Sequence, residues 1–152
     1  MTLTLGTGPF GPKRGGTFNF EPNPPRDHML YLEDAAWRVR AELGGETIVD
    51  SRRVKRLHET GHLPVYYFPL DDVRTELLQA SDHVTHCPFK GDARYWSVQV
   101  GDRTVENAVW NYPEPLESSP LPADHVALYF NAMDRWLEEG EEIFAHPRDP
   151  YH

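Results

Sequence analysis

Apolar and polar residues alternate along much of the chain, and a spacing of two is typical of β-strands with one buried face. Residues 37–43 follow this pattern, and the glycine pair at 44–45 predicts a turn into a second strand over 46–50. The same criteria predict two further short strands, over 54–58 and 65–68. The first part of the body is therefore expected to be antiparallel sheet.

The clearest strand pair covers residues 94–100 and 103–112, joined by a two-residue turn at 101–102. Counting outward from this turn places Ser97 opposite Glu106 and Asn107 opposite Trp96. Asn107 then falls on the core face, where a buried amide must be hydrogen-bonded, so a structural role is favoured for it. The other face of the hairpin is polar yet aromatic, and it carries Tyr95, Ser97, Gln99, Glu106 and Trp110.

Two segments have helical signals. Residues 70–72 end in two carboxylates that suit a helix start, and the next residues predict a short helix with one apolar side. From about residue 122 to 139 the apolar residues recur at helical spacing, which predicts a longer C-terminal helix that ends at Gly140. The expected fold class is therefore mainly β, of the α+β kind, with two small antiparallel sheets and these two helices.

Residues 1–36 are rich in proline and glycine, which predicts an extended arm that packs on the body through its aromatic residues. Residues 37–152 are expected to form a single domain. A long extended arm can also exchange between subunits, so a homo-oligomer formed through the arm is one possibility that the sequence leaves open.

Charge and composition limit the classes of partner that the protein is expected to bind. The formal net charge of −9 argues against a nucleic acid, whose backbone needs clustered cations, and against an anionic membrane surface. One cysteine cannot form an internal disulfide, and the first residues lack the pattern of a signal peptide. These features favour a cytoplasmic location. A basic run at 52–56 and an acidic run at 138–142 are interpreted as solvated surface.

Four motifs carry a family resemblance. They are Val-Tyr-Tyr-Phe-Pro at 65–69, Thr-His-Cys-Pro-Phe-Lys-Gly at 85–91, Ala-Arg-Tyr-Trp at 93–96 and Glu-Asn-Ala-Val-Trp at 106–110. Together they resemble the family catalogued as domain of unknown function 427, over residues 37–136. The arm and the tail look like those of a long-armed branch of that family.

The resemblance implies a fold and little about activity. Members look like a β-tent, in which two small antiparallel sheets lean together with helices at the side. Relatives of that fold often carry a zinc on paired Cys-x-x-Cys knuckles, which this sequence lacks. A nucleotidyltransferase label is attached to the family, but nothing here resembles the Gly-Ser plus paired-aspartate pattern of that chemistry.

The candidate site combines the segment after Cys87 with the polar face of the second hairpin. Lys90 lies five residues before Tyr95, so its side chain can fold over that face beside Glu106. The predicted ligand-binding residues are Lys90, Tyr95, Glu106, Trp110 and His86. The alternative for Lys90 and Glu106 is that both point to bulk water.

The same segment offers groups for catalysis, and the catalytic candidates are Lys90, Glu106 and Cys87. Cys87 has His86 beside it and Lys90 three positions on, and neighbouring positive charge raises the thiolate fraction of a cysteine. The alternative is a small buried thiol, because cysteine is among the most buried residue types.

Two histidine clusters invite a metal interpretation, one of His83, His86 and Cys87 and one of His146, Asp149 and His152. Neither follows a standard ligand spacing, so no metal and no cofactor is predicted.

Three functions follow. The favoured one is a bacterial-type domain that binds a small polar or anionic metabolite in a pocket lined by Lys90, Tyr95 and Glu106. One alternative is an enzyme with acid–base or cysteine chemistry, of which one version acts on nucleotides. The other is an interaction protein that docks through the arm and the acidic run.

Overall fold

The computed structural model describes residues 15–19 and 27–145, and it is built from antiparallel strands. In chain order, the strands are β1 (Gly16–Phe18), β2 (Leu30–Asp34), β3 (Val39–Leu43), β4 (Glu46–Ser51), β5 (Lys55–Glu59), β6 (Val65–Pro69), β7 (Leu78–Cys87), β8 (Gly91–Val100), β9 (Arg103–Asn111), β10 (His125–Leu128), β11 (Arg135–Glu138) and β12 (Glu141–Ile143). The mainly β class is confirmed.

The strands form two antiparallel sheets, as predicted. The larger sheet has eight strands in the order β1-β2-β5-β6-β10-β9-β8-β7. The smaller sheet has the order β12-β11-β3-β4 and therefore joins a hairpin from early in the chain to one from its end.

The main core lies between the two sheets. The smaller sheet contributes Val39, Ala41 and Ile48, and the larger sheet contributes Phe68 and Val126, all of them fully buried. A second apolar cluster lies on the other face of the larger sheet, with Leu30, Leu57, Tyr67, Tyr95, Tyr112 and Ala127 among its members. The middle strands of the larger sheet are consequently buried on both faces, which explains the continuous apolar sequence of β6.

The predicted C-terminal helix over 122–139 is wrong. That segment forms β10, a single 3-10 turn at Phe130–Ala132 and β11. All four residues of β10 are buried, because this strand lies in the middle of the larger sheet. A strand covered on both faces shows no alternation, so its apolar residues combined with those of β11 to imitate a helical spacing. The predicted short helix is a pair of 3-10 turns, Leu70–Asp72 and Thr75–Leu77.

The second hairpin is confirmed, but its register is not the predicted one. Val98 pairs with Val105 as expected, whereas Trp96 pairs with Val109 and Tyr95 with Trp110. Three residues of β9 therefore lie opposite Ser97. This bulge shifts the pairing by two residues, which preserves the face on which each side chain lies.

The described parts of residues 1–36 contribute strands to the larger sheet. β2 pairs with β5 over five residues, and β1 pairs with β2 at the sheet edge. The rest of the predicted arm lies outside the described residues, as does the tail from residue 146. Within the part of the chain that the structure describes, no helix has the length and apolar character needed to cross a membrane.

Candidate functional site

Lys90 is held in the turn between β7 and β8 by the loop that follows β9. Its carbonyl oxygen accepts a hydrogen bond from the Leu116 amide at 3.0 Å. The next residue, Gly91, has a φ of +116°, and a Cβ there would lie 3.2 Å from the Glu114 carbonyl oxygen. Only glycine combines this backbone conformation with so close an approach. The Lys-Gly pair of the sequence motif therefore fixes where the lysine side chain begins.

The Lys90 ammonium pairs with a carboxylate that the sequence analysis did not single out. Its Nζ donates to Glu59 Oε1 at 2.6 Å, and the second oxygen of Glu59 lies 2.9 Å from Nε2 of His28. Only 7% of the Glu59 side chain and 12% of the Lys90 side chain are exposed. The His28 ring also stacks on Phe89, with 3.9 Å between ring centroids. The end of β5 is thus joined to the β7–β8 turn.

The Glu59 carboxyl is expected to be ionised near neutral pH. Burial alone would raise the pKa of Glu59, but hydrogen bonds from Lys90 and His28 and the attraction of the ammonium outweigh it, so the pKa lies below its usual value. Removing one partner of such a buried ion pair destabilises the fold, because the remaining charge is then buried without a partner.

A cavity of about 270 Å³ opens beside the pair, and we call it the aromatic cavity. Glu59, His62 and Lys90 supply its charged or titratable groups, and Leu57, Leu63 and Val65 are among its apolar residues. The aromatic residues that line it include Tyr66, Tyr67, Tyr95, Trp110, Tyr112 and Tyr129. They come mainly from the middle strands of the larger sheet and from the residues that follow β9 and β10.

Hydrogen bonds fix most of the polar atoms on these rings. The Trp110 indole donates to the Tyr67 hydroxyl at 3.3 Å, and the Tyr95 hydroxyl lies 2.8 Å from Oγ1 of Thr85. Trp110 also contacts Tyr129, with 4.6 Å between their ring centroids. The rings are therefore held in place from several strands, which gives the cavity a defined shape.

Tyr112 differs from its neighbours. Its ring centroid lies 5.6 Å from the Lys90 ammonium, and the residue is buried. Among the described residues its hydroxyl has no hydrogen-bonding partner. Burial raises the pKa of Tyr112 well above its usual value, so the phenol keeps its proton and can donate it to an acceptor in the cavity.

The structure brings together three of the predicted site residues and separates the others. Lys90, Tyr95 and Trp110 line the aromatic cavity. Glu106 is exposed and does not line it. His86 lies on the opposite side of β7 from Thr85, where its ring pairs with the exposed Asp92 at 2.7 Å.

The bulge in β9 explains the position of Glu106. Asn107 has a φ of +52°, and its amide donates to the Ser97 hydroxyl at 3.1 Å. This left-handed residue turns the strand locally, so Glu106 does not stand directly opposite Ser97. Asn107 is half-buried within the bulge and does not pair with Trp96, which corrects the predicted register.

Cys87 is half-buried and packs against the cluster that contains Tyr67, without lining the cavity. The His83 ring contacts the Tyr95 ring at a tilt, with 4.6 Å between ring centroids. Within residues 15–19 and 27–145, no group of three or more histidine, cysteine and acidic side chains is placed to hold a metal ion. The cluster of His146, Asp149 and His152 lies outside those residues.

Sequence reasoning missed Glu59, Tyr67 and Tyr112. The signal for Glu59 was present, because a strand that ends at residue 59 places this carboxylate on the same face as Leu57. The predicted strand stops at His58 and leaves this carboxylate out. Tyr67 and Tyr112 fall within predicted strands, but Tyr112 lies just after β9, and both residues belong to the second apolar cluster and line the cavity.

These features define a class of protein: two antiparallel sheets packed face to face, with an aromatic cavity at one end of the larger sheet. The chain belongs to the family described as a domain of unknown function (DUF427), whose model matches residues 31–139 and carries a nucleotidyltransferase label in its short name. No curated protein matches the sequence.

Proposed function

We propose that the protein binds a small, flat, uncharged polar molecule in the aromatic cavity, with Lys90, Tyr95, Trp110 and Tyr112 as its contacts. The observation that carries this proposal is Tyr112, a buried residue that lines a ring-lined cavity and whose hydroxyl has no protein partner among the described residues. Buried polar groups are nearly always hydrogen-bonded, so an unpaired one in a cavity favours a ligand or an ordered water.

The size and lining of the cavity favour a flat ligand. Ligand pockets usually measure roughly 300–1,000 Å³ and are mostly apolar with a few placed polar groups. At about 270 Å³ the aromatic cavity is slightly smaller than the lower end of this range, which favours a small ligand. Tyrosine and tryptophan rings present flat faces that stack on other rings, so a single planar ring suits the space better than a branched chain.

The polar groups favour an uncharged ligand that accepts hydrogen bonds. Glu59 already balances the charge of Lys90, and its carboxylate would repel an anion. An ammonium has three N–H donors, and Lys90 gives one of them to Glu59. The remaining donors of Lys90, together with the Tyr112 hydroxyl, suit a carbonyl oxygen attached to the ring.

Catalysis is the weaker alternative. Of the catalytic candidates, Lys90 alone lines the aromatic cavity, since Glu106 is exposed and Cys87 packs beside the cluster. General acid–base chemistry needs a group within hydrogen-bonding reach of the reacting atom. The geometry therefore supports binding more directly than it supports a reaction.

Calorimetric titration with three probes tests the proposal. Benzamide is flat and carries a carbonyl, benzoate is flat and anionic, and cyclohexanecarboxamide has the same amide on a ring that is not flat. We expect saturable binding of benzamide with a Kd below about 1 mM, and weaker binding of the other two probes. Tyr112→Phe should weaken benzamide binding about tenfold, because one hydrogen bond in a desolvated site is lost.

The matched control is Glu106→Gln, which changes a carboxylate on the same hairpin outside the cavity and should leave the Kd unchanged. The melting temperature of each variant shows whether it folds. Absence of benzamide binding up to about 10 mM would refute the proposal, as would equal Kd values for Tyr112→Phe and Glu106→Gln.

A further inference from the structure

A second cavity, of about 640 Å³, lies at the opposite end of the same central strands. β5 begins at Lys55 and ends at Glu59, and His125 at the start of β10 pairs with Pro69 at the end of β6. This second cavity includes the first four residues of the basic run, Arg52, Arg53, Val54 and Lys55, and we call it the arginine groove. On β5, for example, Lys55 lines the arginine groove and Glu59 lines the aromatic cavity, so several residues of the strand separate the two sites.

Carboxylates hold the cationic side chains of the arginine groove in position, but they do not occupy all of the N–H donors of those cations. Arg53 donates to Asp72 through Nε and Nη2, at 3.3 and 2.7 Å, and Lys55 donates to Asp34 at 2.6 Å. In the described part of the chain, Nη1 of Arg53 has no partner, and the Lys55 ammonium has two further N–H groups. The cations are therefore held in position with donors to spare. Both pairs are more exposed to water than the Lys90–Glu59 pair, so their carboxylates are screened more strongly and repel an incoming anion less.

His125 is the buried polar group of the groove, with only 10% of its side chain exposed. Its Nδ1 lies 2.9 Å from Oδ1 of Asp124, which fixes the orientation of the ring. Its Nε2 makes no hydrogen bond to any residue that the structure describes. A histidine side chain that is nine-tenths buried and lines a groove with one ring nitrogen unpaired is a suitable contact for a ligand atom.

We propose that the arginine groove binds the phosphoryl group of a small phosphate monoester. A guanidinium and an ammonium with unused donors match phosphate oxygens, and arginine does so with fixed geometry. The His125 ring lines the same groove and adds a polar side chain beside these two cations. Val54 and Leu70 line the same groove and offer apolar surface to the organic part of the ester. This site does not depend on the function proposed for the aromatic cavity.

A substitution of Asp71 tests the site, because it is expected to increase the affinity of the groove for the phosphoryl group. It is exposed, lines the groove and forms no ion pair with the described residues. Its charge opposes a bound phosphoryl group. Asp71→Asn should therefore tighten binding about threefold, since a like charge at several ångströms in water-like surroundings is removed.

The experiment is a titration of the full chain with phenyl phosphate at low salt, followed by calorimetry and by the ¹⁵N resonances of the His125 ring. We expect saturable binding that Arg53→Gln weakens about tenfold or more, through loss of a charge-assisted contact. Arg103→Gln is the matched control, because Arg103 is similarly exposed and paired with Asp134, outside the groove. It should leave the Kd unchanged.

Inorganic phosphate distinguishes the ester from the free anion, and we expect it to bind more weakly because it cannot reach the apolar surface. The site is refuted if Arg53→Gln and Arg103→Gln weaken binding equally, or if Asp71→Asn does not tighten it. Equal affinities for phenyl phosphate and inorganic phosphate would refute the monoester assignment. Tyr112→Phe should leave phenyl phosphate binding unchanged, which separates this site from the aromatic cavity.

Discussion

Replacing Glu59 with alanine is expected to reduce the free energy of unfolding by about 3 kcal/mol, because it leaves the buried Lys90 ammonium without its partner. The loss should lie at the low end of the range for broken buried pairs, since Lys90 borders a cavity that water can fill. Urea denaturation at pH 7 measures it.

The control for this variant is Glu106→Ala, which removes an exposed carboxylate and should change stability by no more than about 0.5 kcal/mol. The double variant Glu59→Ala/Lys90→Met should recover part of the loss, because no unpaired charge then remains buried. Equal effects of Glu59→Ala and Glu106→Ala would show that the Glu59–Lys90 pair does not contribute to stability.

The stability difference between the wild type and Glu59→Ala should also depend on pH. The folded-state pKa of Glu59 lies below its unfolded value, so its contribution is fully present above about pH 5 and is lost as the pH falls through the folded pKa. The difference measured at pH 7 should therefore shrink as the pH falls toward 3. A difference that grows on acidification would contradict the lowered pKa.

Phe68→Ala is expected to have the largest effect, about 3–5 kcal/mol, because it opens a cavity in the middle of the main core. Phe68 is fully buried between the two sheets, and its ring centroid lies 6.2 Å from that of Trp136 on the smaller sheet. A loss of this size is a large part of the roughly 5–15 kcal/mol that stabilises a typical domain. The midpoint of urea unfolding measures it.

Phe144→Ala is the matched control, since the Phe144 side chain is 84% exposed and its removal should matter little. Phe68→Leu, which keeps most of the volume, should cost about 1.5 kcal/mol or less. A Phe68→Ala variant as stable as Phe144→Ala would mean that the two sheets do not pack through this residue.

The sequence predicted strands well where one face is buried and the other is not. The hairpin of β3 and β4 and the hairpin of β8 and β9 both show alternation, and both formed. The same alternation put Tyr95 and Trp110 on one face, and the two-residue shift of the bulge left that assignment intact. Alternation in a sequence thus predicts the face on which a strand residue lies more reliably than it predicts the cross-strand partner of that residue.

The sequence was less informative for strands that are buried on both faces and for side chains whose partners are far away along the chain. β10 carries no period, so its apolar residues were assigned to a helix. Glu59 and Lys90 are 31 positions apart, and nothing in a single sequence indicates that the end of β5 meets the β7–β8 turn. The partner of Lys90 depends on how the larger sheet curves, and local spacing does not encode that curvature.

The smaller sheet has a consequence for the order of folding. Its two hairpins come from distant parts of the chain, so that the Arg38 amide, just before β3, bonds to Glu139, 101 positions away. Contacts with such long separations form slowly, because a large loop must close before they provide any stabilisation. During synthesis, β3 and β4 emerge long before β11 exists to pair with them. Ala41 and Leu43 on β3 therefore lack their neighbouring strand until β11 has been synthesised. The complete smaller sheet can pack against the larger one only after that.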